Sequence, residues 1–290
     1  MNPSVAIVLV NYNGYDDTVE CVKSLLNISY DNYTIFLVDN ASTEEKKISN
    51  NEFLTENTRL IQSDVNLGFS GGNNIAVREA LREAFDYILL LNNDTTVEPD
   101  FLTELVATAE NNRNAGIVTG KIYYYFERDS VWSAGGTYNR NTGHTVQFSG
   151  PDSKDFDEEK GITFATGCLM LIPARVMNKV GILDESYFLY SEDTDYCQRV
   201  ILAGFGLIYT PKAVIYHKVS ASTGHRSLMQ QRYMMRNNLY MIKKYGIKRF
   251  RAYCSMSLQM LKHIVRKRRN LKPTMQGYMD FIRGKKGRIS

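Results

Sequence analysis

The sequence predicts an α/β protein: a mostly parallel central sheet flanked by helices, followed by a helical, basic C-terminal extension. Three observations carry this. The apolar runs Val5–Val10, Thr34–Val38 and Tyr87–Leu91 have strand length and lack the alternation of a half-exposed strand, the pattern of parallel strands covered on both faces. Segments with helical spacing separate them. Residues 241–290 hold 15 Lys and Arg against one acid, Asp280, whereas the first 240 residues hold 20 basic and 30 acidic residues.

The first strand, Val5–Val10, leads to a helix that Asp16 or Asp17 caps, with Val19, Val22, Leu25 and Leu26 as its apolar face. Thr34–Val38 and the short Arg59–Gln62 follow as strands. Gly71–Phe85 reads as a helix, with Ile75, Val77, Ala80, Leu81 and Ala84 roughly on helical spacing. Tyr87–Leu91 is the next strand. Pro99-Asp100 then starts a helix to about Glu110. In the less regular middle, Lys121–Tyr125, Val131–Ser133 and Thr145–Phe148 read as short strands, and Asp193–Ala203 as a helix stopped by Gly204. Gly206–Tyr209 and Val214–Tyr216 are strands. A long helix runs from about Ser227 to Tyr245. After Gly246 another presents Ile247, Phe250, Cys254, Leu258, Leu261 and Val265 on one face.

With 43% hydrophobic and 23% charged residues over 290 positions, the chain can bury a core without disulfide staples. Its four cysteines are scattered, with no Cys-x-x-Cys spacing, which suits a reducing compartment. The opening residues read as a strand rather than a leader, and no run approaches the roughly 18 apolar residues of a membrane span. The acidic body argues against nucleic-acid binding. Two nucleotide motifs fail. Gly68-Phe69-Ser70-Gly71-Gly72 lacks the dinucleotide spacing, and Ala115–Ile122 lacks the hydroxyl that a phosphate loop needs at its last position.

In an open parallel sheet, ligands bind beyond the carboxyl ends of the strands. Three predicted strands end there in polar residues: Asn11-Tyr12-Asn13, Asp39-Asn40 and Asn92-Asn93-Asp94. The run Asn66–Asn74 carries glycines that allow close backbone approach into a helix N-terminus, which favours an anion. In Ser191-Glu192-Asp193-Thr194-Asp195, three carboxylates within four residues repel one another unless a cation, a basic group or a proton intervenes. A carboxylate there can serve as general base. His217, at a strand end, can bind a metal.

The order of Val-Asn-Tyr-Asn-Gly (10–14), Val-Asp-Asn-Ala-Ser (38–42), Asn-Leu-Gly-Phe-Ser-Gly-Gly-Asn-Asn (66–74), Leu-Asn-Asn-Asp (91–94), Thr-Gly-Cys (166–168), Phe-Leu-Tyr-Ser-Glu-Asp-Thr-Asp (188–195) and His217 resembles the family 2 glycosyltransferases, bacterial rhamnosyltransferase-like members above all, over about residues 4–245. The resemblance implies a GT-A fold. It implies a catalytic domain over 1–225, with a nucleotide-sugar half to about 98 and an acceptor half after it, and a basic helical extension over 226–290. It implies an inverting, metal-dependent enzyme that moves a sugar, rhamnose as first choice, from a dTDP- or UDP-linked donor to a glycan or lipid-linked glycan acceptor in bacterial polysaccharide synthesis. By the same analogy Asn11, Tyr12 and Asp39 bind the nucleoside, with Asn66, Gly68, Asn73 and Asn92 also on the donor. Asp94, last residue of a DxD-like motif whose first Asp is here Asn92, binds Mg²⁺ or Mn²⁺ together with His217. Asp193 is the catalytic base, and Glu192, Gly167 and Trp132 meet the acceptor. Arg232 and Arg236, near the family's Arg-Asn pair, reach for the diphosphate.

Two other readings fit less well. A sugar nucleotidylyltransferase would carry a glycine-rich basic loop near its start, where this chain has Asn11–Asp17 without Lys or Arg. A non-catalytic nucleotide-sugar-binding protein need not keep Asp94, Asp193 and His217 together. The basic tail, with Lys248, Arg249, Arg251, Lys262 and Arg266-Lys267-Arg268-Arg269 around an apolar stripe, suits a helix lying on an anionic membrane. The expected place of work is the cytoplasmic face of the membrane, as a peripheral protein.

Overall fold

The computed structural model describes residues 2–48, 54–219 and 227–289; the expected domain boundary at 225/226 lies outside them. The elements run β1 (Val5–Asn11), α1 (Tyr15–Leu25), β2 (Tyr33–Asn40), β3 (Thr58–Ser63), α2 (Gly68–Arg82), β4 (Tyr87–Leu91), β5 (Thr95–Val97), α3 (Phe101–Asn111), β6 (Ala115–Tyr124), β7 (Ser130–Ser133), β8 (Gly136–Asn139), β9 (His144–Gln147), β10 (Gly150–Pro151), β11 (Lys160–Ile162), β12 (Leu169–Pro173), α4 (Ala174–Val180), α5 (Glu192–Leu202), β13 (Gly206–His217), α6 (Leu228–Tyr245), α7 (Arg249–Val265) and α8 (Leu271–Ile282).

The main sheet has the order β10-β7-β6-β12-β4-β1-β2-β3. It is parallel through β3, β2, β1 and β4 and mixed beyond. There β12 enters antiparallel between β4 and β6, and β13 runs parallel to β6 and antiparallel to β5 and β11. The apolar runs are explained by cover on both faces. Val5, Ile7 and Leu9 pack with Val22 and Leu25 of α1 and Phe101 and Leu105 of α3. Ala6 and Val8 pack on the other face with Val77 of α2 and Val200 of α5.

Several expectations shift. Gly14, not Asp16 or Asp17, precedes α1, whose buried residues are Thr18, Cys21, Val22 and Leu25. The two expected strands at 206–216 are one strand, β13, with an irregularity between Tyr209 and Val214. The short strand expected at 121–125 is the end of the ten-residue β6. Strand β12, at the middle of the sheet, was not anticipated. The helix after Gly246 forms with the expected apolar stripe turned outward and a second, separate face turned inward. Ala252, Met256 and Met260 are the buried residues and pack against Met235, Leu239 and Ile242 of α6, while Phe250, Leu258, Leu261 and Val265 face outward.

The extension is tied to the body by charge as well as by packing. Asp195, fully buried on α5, accepts from the Lys244 ammonium at 2.7 Å and the Tyr245 hydroxyl at 2.7 Å on α6, and from Arg199 Nε at 2.8 Å. Satisfied on this scale, a buried carboxylate is tolerable; stripped of one partner it becomes costly. Among the described residues no helix is long and apolar enough to cross a membrane.

Candidate active site

At the carboxyl ends of β1, β2 and β4 the chain opens a cavity of about 700 Å³. Both the Asp94–His217 region and the Glu192-Asp193 helix start border it, as do Tyr12, Asn66, Gly68, Asn73, Asn92, Trp132 and Gly167.

The metal candidates meet through sheet pairing. Antiparallel pairing of β5 with β13 sets Thr95 opposite His217, so the preceding Asp94 lies beside the histidine. Asp94 Oδ1 is 3.0 Å from His217 Nε2, and Asn92 Nδ2 is 3.5 Å from the same nitrogen. The Trp132 ring packs edge-on against the imidazole, centroids 4.3 Å apart, so Trp132 fixes the histidine as well as bordering the cavity. Burial works against a charge on His217, but Cys168 and Asp94 outweigh it and raise its pKa to about 10. A bound cation would take that proton's place. The donor set fits a hard divalent ion: two cis ligands about 2.1 Å from one ion stand about 3 Å apart, the separation of Asp94 and His217. Among the described residues no group of three or more His, Cys, Asp or Glu side chains converges, so the remaining ligands would come from water and substrate, as hard Mg²⁺-like ions prefer.

The acidic pair is held by an unusual turn. Tyr190 and Ser191, immediately before Glu192, have φ of 68° and 72°, a left-handed conformation that costs non-glycine residues about 1–3 kcal/mol each. Two grips maintain it. From α6, Asn237 Nδ2 donates to the carbonyls of Leu189 at 2.9 Å and Tyr190 at 2.7 Å. From α2, Ser70 Oγ donates to Tyr187 O at 2.8 Å and the Phe69 amide to Phe188 O at 2.8 Å. Asp193 then points Oδ2 at the Gly167 amide (3.3 Å) and Oδ1 at the Thr194 amide (2.6 Å). Burial raises the Asp193 carboxyl, restrained by those two amides. Burial lifts Glu192 well above the usual carboxylate range, and repulsion from Asp193 adds to it. Glu192 Oε2 is buried and, among the described residues, has no hydrogen-bond partner. A buried, unpartnered carboxyl oxygen on a residue that borders a cavity is a ready partner for a ligand hydroxyl.

Other expected residues serve differently. Asn11 and Asp39 are fully buried and stand outside the cavity lining. Asn11 Nδ2 donates to Asp39 Oδ2 at 2.8 Å, and Asp39 also accepts from the amides of Ser42 and Ile48. Neighbouring positions on parallel strands bring the two together, and they frame the loop after β2; of the three residues expected on the nucleoside, only Tyr12 borders the cavity. The glycine-rich run, expected to favour an anion at a helix N-terminus, has its first amides engaged within the protein. Gly68, at φ +72°, lies where a Cβ would meet Phe188 O at 2.1 Å, so the close approach is between backbone segments. Its amide is taken by Asn66 Oδ1 at 2.8 Å and the next by Phe188. Gly68→Ala is therefore expected to cost at least about 2 kcal/mol, read as a lower urea midpoint, with transfer activity falling further because the displaced segment carries Glu192 and Asp193.

Arg232 and Arg236, expected on the diphosphate, stand outside the cavity lining. Arg232 Nε donates to Asp280 Oδ2 on α8 at 2.6 Å. Arg236 is buried, with Nε on Asn237 Oδ1 at 2.9 Å and Nη2 on Gly287 O at 2.9 Å. It orients the amide that grips the turn. Sequence reasoning also missed the far wall of the cavity, made by His144, Gln147, Met234, Met260, His263 and Arg269.

The chain matches the model of "Glycosyl transferase family 2" over residues 6–181. It is 28% identical over 255 residues to an uncharacterised protein of Sinorhizobium fredii, covering 83% of this chain and 27% of that one. It is 27% identical to the low-salt glycan biosynthesis hexosyltransferase Agl10 of Haloferax volcanii, covering 69% and 62%, and 29% identical to the rhamnosyltransferase WbbL of Escherichia coli K12, covering 71% and 80%. The chain thus spans less than two thirds of the first two. Among solved structures, GalNAc-T7 with UDP, GalNAc and Mn²⁺ superposes with a TM-score of 0.64 at 14% identity, covering 83% of this chain and 48% of that one; at that identity the likeness is one of fold, the GT-A arrangement. The family match spans more than half of the sequence and includes the strand ends that open the cavity, and on that ground the chain belongs to glycosyl transferase family 2.

Proposed function

We propose that this protein is an inverting, divalent-cation-dependent glycosyltransferase, moving a sugar from a nucleoside-diphosphate donor to a hydroxyl of a glycan or lipid-linked glycan in bacterial polysaccharide synthesis, at the cytoplasmic face of an anionic membrane. One observation carries the reading: the Asp94–His217 pair and the Glu192-Asp193 pair border the same cavity. The name of the E. coli relative makes rhamnose the first sugar to try, on the dTDP carrier that the sequence resemblance implies. The hexosyltransferase relative and the UDP in the GalNAc-T7 structure make UDP-hexoses the second.

Asp94 and His217 would hold Mg²⁺ or Mn²⁺, with Asn92 close by; bound there, the ion supplies positive charge to the departing diphosphate. Tyr12, 39% exposed at the cavity edge, offers its ring to the base. Asp193 takes the proton of the acceptor hydroxyl as the new C–O bond forms, its lone pairs aimed by the amides of Gly167 and Thr194. Its raised pKa makes it a stronger base than a free aspartate. Glu192, whose burial disfavours a charge, hydrogen-bonds the acceptor through Oε2. Attack from the face opposite the leaving group inverts the anomeric centre, and only the acceptor side needs a carboxylate, unlike the carboxylate pairs of glycosidases. Asn11, Asp39, Asn66, Gly68 and Asn73 act at one remove, by fixing the loop after β2 and the turn before Glu192.

A thermal-shift panel of dTDP- and UDP-sugars with and without Mn²⁺ tests this. One donor class is expected to stabilise the protein only with the cation and then to support transfer or slow hydrolysis. No cation-dependent stabilisation by any nucleotide sugar, or pyrophosphate release from a nucleoside triphosphate, sinks the reading.

A further inference from the structure

Helix α7 is apolar on two opposite sides. One side, with Met256, Gln259, Met260 and His263, lines the cavity. The other carries Phe250, Leu258, Leu261 and Val265 at helical spacing, with Phe250 84% and Val265 74% exposed. A stripe so exposed is a liability in water unless something covers it. Helix α8 repeats the pattern: Thr274, Gly277 and Asp280 are buried, while Leu271, Met275 and Ile282 are exposed.

The charges around the stripes select the covering partner. Arg249, Arg251 and Lys262 are exposed on α7, and the exposed Arg266, Lys267 and Arg268 stand between the end of one stripe at Val265 and the start of the other at Leu271. The one acid of residues 241–290, Asp280, is 2% exposed and engaged by Arg232 and Lys285, so among the described residues of this stretch no exposed side-chain carboxylate opposes an anionic surface. A protein partner would need an acidic, apolar counterpart. A bilayer of anionic lipid supplies both properties at once, taking apolar side chains into the headgroup boundary and pairing cations with phosphates.

We propose that the outward faces of α7 and α8 are the seat on which this protein docks to an anionic bilayer, and that α7 separates that bilayer from the catalytic cavity by one helix diameter, about 10 Å. The membrane location belongs to the functional reading above; the seat is argued from the exposed stripes alone. An acceptor anchored in the membrane would then enter the cavity beside α7, along the wall of Met234, Met260 and His263.

Sedimentation of the full chain with vesicles tests the seat. Wild-type protein is expected to partition at least about tenfold more onto phosphatidylcholine–phosphatidylglycerol vesicles than onto phosphatidylcholine alone, the effect of a few surface cations. The double variant Phe250→Glu, Leu261→Glu is expected to lose that binding and keep its melting temperature and cation-dependent donor binding. Equal partitioning of wild type and variant overturns the seat. So does a lipid-free dimer, seen by analytical ultracentrifugation, that the variant converts to monomer, because a second copy then covers the stripes. Loss of vesicle binding with donor binding intact strikes only the seat; absence of donor binding with vesicle binding intact strikes only the functional reading.

Discussion

Asp193→Asn is expected to fold, to bind donor as the wild type does, and to lose transfer by about a hundred- to ten-thousand-fold, the contribution of a well-placed general base. The amide has the shape of the carboxylate and an oxygen that can still accept from Thr194, but it cannot take the acceptor's proton. Thermal shift with the donor checks the fold and the binding; initial rates check the chemistry, and near-normal turnover removes Asp193 from the base role. The pH profile carries the same information. Burial raises Asp193, so the base is lost as pH falls through a value above that of a free aspartate, and the acidic limb of kcat sits correspondingly high. Burial lifts Glu192 well above the usual carboxylate range as well, which favours its neutral form. Glu192→Gln should therefore leave the limb in place; a limb that moves with that substitution means that the two carboxyls share a proton.

Asp94→Asn is expected to abolish the cation-dependent part of donor stabilisation and to lower kcat by about a hundred- to a thousand-fold, the scale of removing one preorganised charge from a developing anion. An amide oxygen is a neutral, weaker ligand, and the variant leaves His217 beside two amides, Asn92 being the other. Manganese titration followed by the fluorescence of Trp132, the only tryptophan of the chain, reads the loss directly, since its ring packs on His217. Unchanged manganese affinity in Asp94→Asn would place the cation elsewhere.

Much of the first half of the fold is legible because it is local. A strand buried on both faces reads as an unbroken apolar run, and β1, β2 and β4 lie where those runs are. Strand β12, Leu169–Pro173, is a short unbroken apolar run of the same kind and is not picked out by the sequence reading; its place between β4 and β6 depends on partners far away in sequence. The strand-end motifs found the cavity but not the division of labour within it. Asn and Asp have the same letter whether they touch a ligand or each other, so Asn11 and Asp39 could not be told apart from Tyr12. The place of Arg236 is not legible because a guanidinium is expected in water or on an anion, whereas here it is buried and aims an amide. The stripe on α7 was read with the right residues and assigned to one face; a second inward face, built largely from methionine, carried no comparable signal.

The turn at Tyr190-Ser191 has a bearing on chimeras. It is gripped from α2, upstream of the donor-side strand β4, and from α6, beyond the last strand. Any single crossover placed between α2 and α6 parts helix α5 from one of the two restraints on the turn before it. Graft the middle of a relative into this scaffold and the incoming turn inherits two clamps shaped for another; altered acceptor choice is then more readily sought at the far wall of the cavity, around His144 and Gln147, where neither clamp reaches.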